Sequence, residues 1–196
     1  FNYVIEVGHE SNDLDYSNTT ALSLNGGSIR DISGNNATLT LIPPGSNGSL
    51  SANKTLVVDG GAPVVSSVTS TYSDGTYIVG DSIAINVLFS EVVTVTGVPI
   101  ITLETGDNDV VINYANGTGT NTINFSYVVS EGEYTNDLSY MDQNALELNQ
   151  GSIKDAAGNN IVLTLPEPDS TGSLSINKSL VVDGILPFVN SVTSLD

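Results

Sequence analysis

Residues 173–187 read S-L-S-I-N-K-S-L-V-V-D-G-I-L-P, and residues 49–63 read S-L-S-A-N-K-T-L-V-V-D-G-G-A-P. The two stretches start 173 − 49 = 124 positions apart. At that offset residues 1–60 align with residues 125–184 without a gap, and 35 of the 60 positions are identical. The match runs on, because Val65-Ser66-Ser67-Val68-Thr69-Ser70 returns as Val189-Asn190-Ser191-Val192-Thr193-Ser194. A fixed period of this kind marks a tandem array of one domain. The chain then divides into the C-terminal half of one repeat (1–60), one complete repeat (61–184) and the first strand of a further repeat (185–196). Val-Val-Asp-Gly followed by Pro is the seam between repeats.

A unit of about 124 residues is an ordinary domain size, whereas about 60 residues bury little core by themselves. Residues 1–60 are therefore expected either to belong to a longer chain or to be completed by a neighbour. The 39% hydrophobic content suffices for a folded domain. The charge is lopsided, with 22 acidic residues against 4 basic ones and a net charge of −18. That argues against nucleic acid and anionic membrane surfaces as partners, since both demand Lys and Arg. It invites cations. Without cysteine there is no disulfide framework and no thiolate metal site. No signal peptide or transmembrane run is visible, but a sequence opening in mid-repeat leaves the parent protein's leader undecided.

The complete repeat reads as β throughout. Strands are expected at 64–69, 82–90, 92–96, 100–104, 110–114, 122–129, 145–148, 161–165 and 179–182. Ile83, Ile85, Val87 and Phe89 alternate with Ala84, Asn86, Leu88 and Ser90, the period of a half-buried strand. Ser73-Asp74-Gly75, Gly97-Val98-Pro99, Ala115-Asn116-Gly117 and Asp155-Ala156-Ala157-Gly158-Asn159 punctuate the strands as turns. Short strands at this spacing indicate an all-β fold, an Ig-like antiparallel β-sandwich repeated in tandem. Pro63 and Pro187 open the first strand of a repeat, where no ladder donor is required.

The two copies filter the acidic residues. Only Asp13/Asp137, Asp31/Asp155 and Asp59/Asp183 coincide. Asp31 and Asp155 begin Asp-x-x-Gly-Asn, where a carboxylate accepting local backbone N–H groups is a sufficient role. Asp13 and Asp137 sit in Asn-Asp-Leu-x-Tyr and suit a corner cap. Asp59 and Asp183 suit an Asx-turn or a metal ligand equally. The sharper reading is Ca²⁺, which takes six to eight oxygen ligands. Strands alternating up and down would place Asp59, Glu91, Asp107, Asp109, Glu131, Glu133 and Asp137 at one pole. The Asp155 turn would then stand at the other pole, against the next seam. The candidate ligands are Asp31, Asp59, Glu91, Asp137, Asp155 and Asp183.

Other chemistries find less support. Lys54 and Lys178 coincide in the two copies and suit either solvated stems or an isopeptide bond beside an acid. His9, the one histidine, faces Glu133 in the second copy, so the complete repeat lacks a nucleophile–histidine pair. No carboxylate pair stands out as a glycosidase, and the reading is of a protein that is not an enzyme. Seven Asn-x-Ser/Thr sequons stand against roughly five expected by chance from this composition, so they do not establish glycosylation.

Ser73-Asp74-Gly75-Thr76-Tyr77, Gly80-Asp81, Phe89-Ser90-Glu91, Asn136-Asp137-Leu138-x-Tyr140, Lys154-Asp155-Ala156-Ala157-Gly158-Asn159 and Val182-Asp183-Gly184-x-x-Pro187 follow in that order. The set resembles the Ig-like or cadherin-like tandem repeats of giant secreted bacterial surface proteins and adhesins, of the swimming-motility-protein type. The resemblance spans essentially the whole chain. It implies an extracellular stalk or filament unit whose partners are neighbouring repeats or identical subunits. It also implies Ca²⁺ near the seam Asp59/Asp183 and the Asp31/Asp155 turns. The seams depart from the usual Asp-x-Thr-Ala-Pro in carrying Gly60 and Gly184, which is expected to loosen them. The alternative is a carbohydrate- or protein-binding module that uses its pole loops.

Overall fold

Ser82–Thr96 is one strand of fifteen residues, and the complete repeat is assembled around it. Its odd-numbered positions face inward: Ile83, Ile85, Val87, Phe89 and Val93 are buried. β-Branched and aromatic side chains on one parity favour this extended backbone. The computed structural model describes residues 2–193, which fall into two units, Phe1–Gly61 and Ala62–Asp196.

The first unit holds β1 (Glu10–Ser11), the one-turn helix α1 (Leu50–Asn53) and β2 (Val58–Asp59). The strands pair antiparallel, Glu10 opposite Asp59. Ser49 caps α1 by accepting a bond from the N–H of Ala52 at 3.2 Å.

The second unit runs β3 (Val65–Ser70), β4 (Gly75–Ile78), β5 (Ser82–Thr96), β6 (Ile100–Glu104), β7 (Val110–Asn116), β8 (Thr120–Val128), β9 (Tyr134–Thr135), β10 (Ser139–Tyr140), β11 (Leu146–Glu147), β12 (Ser152–Lys154), α2 (Leu174–Asn177) and β13 (Leu180–Asp183). One sheet has the order β10-β6-β7-β8-β5-β12, with β3 also on β5 and β11 also on β6. A second sheet, β4-β13-β9, joins β13 parallel to β4 and antiparallel to β9. The architecture is all-β and sandwich-like, with the antiparallel ladders dominant. Between the sheets lies a single core that includes Val68, Ile85, Leu103, Phe125, Tyr127, Leu138, Tyr140, Leu174 and Leu180.

Three expectations change. The strands expected at 82–90 and 92–96 are continuous, because β5 bends through an irregular register between Leu88 and Val93 without breaking. Residues 161–165 form no strand and keep only a bridge, Val64 to Val162. Of the first strand expected at 185–196, residues 185–193 are not in a strand, Phe188, Val189 and Val192 are exposed, and residues 194–196 lie outside the described residues. Its equivalent, β3, is held by a ladder to β5, and no second β5 follows residue 184 in this sequence.

Candidate functional site

The seams are pinned rather than loose, contrary to the expectation for Gly60 and Gly184. The N–H of Gly184 donates to the carbonyl of Glu133 at 2.7 Å, and its carbonyl accepts from Gly132 at 3.0 Å. Gly60 makes the same pair with His9 and Gly8, both at 2.8 Å. A Cβ on Gly184 would stand 2.3 Å from the carbonyl oxygen of Ser130, and one on Gly60 would stand 2.3 Å from that of Glu6. Glycine is needed here for close backbone approach. Beside it the seam aspartate makes an Asx-turn. Asp59 Oδ1 accepts from Gly61 at 3.2 Å, and Asp183 Oδ1 accepts from Ile185 at 3.3 Å.

The Asp-x-x-Gly-Asn turns repeat closely. Asp155 Oδ1 accepts from the backbone N–H of Gly158 (2.7 Å) and Asn159 (2.8 Å), and Oδ2 accepts from the Asn159 side-chain amide (2.8 Å). Asp31 takes N–H bonds from Ser33 and Asn35 at 2.9 Å and the Asn35 amide at 2.8 Å. These bonds, led by the Asn35 side chain, hold the Asp31 carboxyl below its ordinary range.

Glu91 breaks the apolar inward series of β5, and the ladder decides what it meets. β12 pairs with the far half of β5, Ser152 opposite Thr96 and Lys154 opposite Thr94. The next residue along is Asp155, which thereby approaches Glu91. One carboxylate oxygen of each lies within 4.8 Å of the other. Asp155 is buried and Glu91 half-buried. This corrects the expected topology, which set Asp155 at the pole opposite Glu91. Glu133 is likewise misplaced by that count, since it lies beside the Gly184 seam. Asp137 stands at the Leu180 end of β13 and Asp183 at the other. Neither is in the group that Glu91 and Asp155 form.

Two like charges this close repel by roughly 3 kcal/mol at an effective dielectric of about 20. A divalent cation reverses the sign. Oxygens on opposite sides of a Ca²⁺ ion, each at about 2.3–2.6 Å, stand about 5 Å apart, and the two carboxylate oxygens lie within that span. The chain also enters the second unit at this point. Val64 donates to Ser90 Oγ at 3.1 Å, Ser90 donates to the Val64 carbonyl at 2.9 Å, and Val162 donates to the Pro63 carbonyl at 2.8 Å.

No family model, curated protein or solved structure matches this chain.

The remaining shared residues have local roles. The Leu180 N–H bonds Asp137, yet burial, with Asp169 and Asp74 nearby, raises the Asp137 carboxyl. Asp13 accepts from the equivalent Leu56 N–H at 3.2 Å. Lys178 Nζ lies 3.4 Å from Asp74 Oδ1, an ion pair with a largely exposed acid. The spacing pattern missed a half-buried pair: the hydroxyl of Tyr127 donates to Glu133 Oε2 at 2.8 Å, which also accepts from the N–H of Ser130 at 2.7 Å. Burial, followed by that bond, pushes the Tyr127 phenol well above its ordinary range. The Glu133 position carries His in the first copy, so the filter of shared acids discarded it.

Proposed function

We propose that the chain is a structural spacer, a stalk or filament segment of a large extracellular adhesin, and that Ca²⁺ stiffens its repeat junctions. The observation that carries this reading is the tandem repeat itself, taken with the path of the complete unit. The chain enters beside Ser90 and leaves beside Glu133 and Ser130, next to the Ser82–Val128 pair. Eight residues of β5 separate those ends, about 26 Å at 3.3 Å per residue. A unit traversed from one end to the other extends an array with each copy. No helix among the described residues is long and apolar enough to cross a membrane.

Glu91 and Asp155 supply the first oxygens of the proposed calcium site. Asp59 is the ligand the preceding seam offers. It lies four residues before the anchored Pro63, within a reach of about 14 Å. In this role Ca²⁺ neutralises acid and joins consecutive repeats; no reaction is involved. Ligand linkage sets the size of the effect, about 2.7 kcal/mol at a hundredfold excess over Kd.

The test is thermal unfolding of the chain in millimolar Ca²⁺ and in EGTA, with small-angle scattering in parallel. A higher Tm and a stiffer, longer particle only in calcium support the reading. Identical behaviour in both buffers leaves a calcium-independent spacer and removes the ion from the proposal. Glu91→Gln should erase the calcium-dependent part of the Tm and, by removing one of the two repelling charges, raise the EGTA value.

A further inference from the structure

We propose that the outward face of β3, β5, β7 and β8 is a contact surface between two copies of this chain, on which one complete repeat lies face to face against another. The four strands run between Val65 and Val128, inside one repeat with its own core. The proposal rests on that sandwich and not on calcium.

Charge singles the face out. None of the chain's 22 acidic and 4 basic residues falls in 65–70, 82–90, 110–116 or 120–128. Two copies of net charge −18 repel over the rest of their surfaces. Here they approach without bringing like charges together. The ladder decides what the face presents. Ile85, Val87, Ile123 and Phe125 turn into the core, so the alternate positions turn outward. The registers set Thr69 opposite Asn86, Asn86 opposite Asn124 and Asn124 opposite Asn116, a polar row across all four strands.

The groups of this row are self-complementary. A side-chain amide carries both donors and an acceptor, which contact between identical patches requires. The Asn124 amide donates to Asn116 Oδ1 at 2.7 Å. Asn86, flanked by Thr69 and Asn124, is 8% exposed, and its Oδ1 accepts no hydrogen bond among the described residues. A buried acceptor left unmet is costly, and a small rotation of the Asn86 amide lets a donor from a second copy meet it. No aromatic ring lies on the face. Phe89, Phe125 and Tyr127 are buried, and Tyr114 packs edge-on against Phe125 with ring centroids 6.3 Å apart. A polysaccharide would find nothing to stack on, which favours a second copy as the occupant.

The area sets the strength. Four strands about 4.8 Å apart, each about seven residues at 3.3 Å, make a face of roughly 440 Å² per copy. Two such faces bury about 900 Å², below the roughly 1,200–2,000 Å² of stable complexes. A single pair of repeats is therefore held weakly, and arrays lying side by side gain from many pairs at once.

The chain has no cysteine, so disulfide trapping reads a weak contact directly. Ser126→Cys places a thiol on the face, and Thr76→Cys places one on β4 in the other sheet; both positions are exposed. Each intact chain is oxidised with oxidised glutathione in EGTA at the same concentration, and linked dimer is read by nonreducing electrophoresis. Ser126→Cys should dimerise at least tenfold faster than Thr76→Cys. Adding Asn113→Asp, opposite Ser126 in the ladder, should remove most of that advantage at low ionic strength. Salt at about 1 M, where the Debye length is about 3 Å, should restore it. Thr122→Asp, on the same face, provides the same readout where Asn113→Asp lowers the Tm. Equal trapping at the two positions overturns the proposal, and so does a loss on Asn113→Asp and Thr122→Asp that salt does not reverse. Binding of dextran, a neutral polysaccharide, that Asn113→Asp abolishes, without preferential trapping at Ser126, assigns the face to a glycan and overturns it too. Calcium is absent throughout, so each of these results is separate from the outcome of the calcium test.

Discussion

Residues 1–60 and residues 125–184 are two copies of one half-repeat, identical at 35 of 60 positions. Both carry the Asp-x-x-Gly-Asn turn, the serine-capped helical turn, the tyrosine hydroxyl bond and the pinned seam glycine. The second lies against β3 to β8, which bury its apolar residues. Hydrogen bonds within a few residues, or between adjoining stretches, form from local sequence. Burial of Leu174 or Tyr127 requires strands from elsewhere in the chain. The copies also show substitutions that compensate. In the first, Asp15 accepts the bond from Ser51, and position 45 is Gly. In the second, position 139 is Ser and Asp169, the counterpart of Gly45, accepts from Ser175 at 2.8 Å. The carboxylate changes its position in the chain and keeps its partner.

The sharpest way to break the comparison is to truncate the same leucine in each copy. Leu174→Ala should cost the second unit about 2–5 kcal/mol, whereas Leu50→Ala should leave that unit's transition within about 0.5 kcal/mol. Denaturant titration reads both, and equal losses would mean that the two copies share one core. The seams come next. Gly184→Ala should cost about 1–3 kcal/mol, because its Cβ meets the backbone of Ser130, which has no rotamer to yield. A neutral result would restore the flexible-seam reading. Tyr127→Phe leaves Glu133 short of a donor and should cost about 1–2 kcal/mol. Tyr3→Phe, which loses an exposed bond to His9 Nδ1, should be close to silent in the same assay.

The smallest effect is in pH. Folding raises the Asp137 carboxyl, chiefly through burial and then through Asp169 and Asp74. The fold thus favours the protonated form. Its contribution is full below the ordinary carboxylate range and is lost as pH rises through the raised value. Asp137→Asn should therefore raise the midpoint slightly at pH 7, by less than about 0.5 kcal/mol after solvent screening, and change nothing near pH 3. A destabilised variant at pH 7 would show that the carboxylate bond to Leu180 outweighs the repulsion.

Much of the fold was legible. Strict alternation in Ile83 to Phe89 and in Ile123 to Val129 is a short-range property, and both stretches are core strands. The strand break at Glu91 was a misreading of a real signal. A charge at an inward position looks like an interruption, but the ladder carries β5 through it. β4, β9, β10 and β12 escape the sequence pattern because two to four residues carry too little of it, and their pairing to β13, β6 and β5 is long-range. The candidate acids were legible as types and not as neighbours. Asp155 was named for its turn, and its approach to Glu91 depends on the register of β12 on β5.

By itself, the sequence determined the repeat, its period, the all-β class and the turns, since each is written in residues near one another along the chain. Tertiary structure alone decided which carboxylates meet and which seam residue is pinned. Those depend on pairing between distant strands, and a shift of one residue in such a ladder would turn Asp155 or Leu180 to the opposite face.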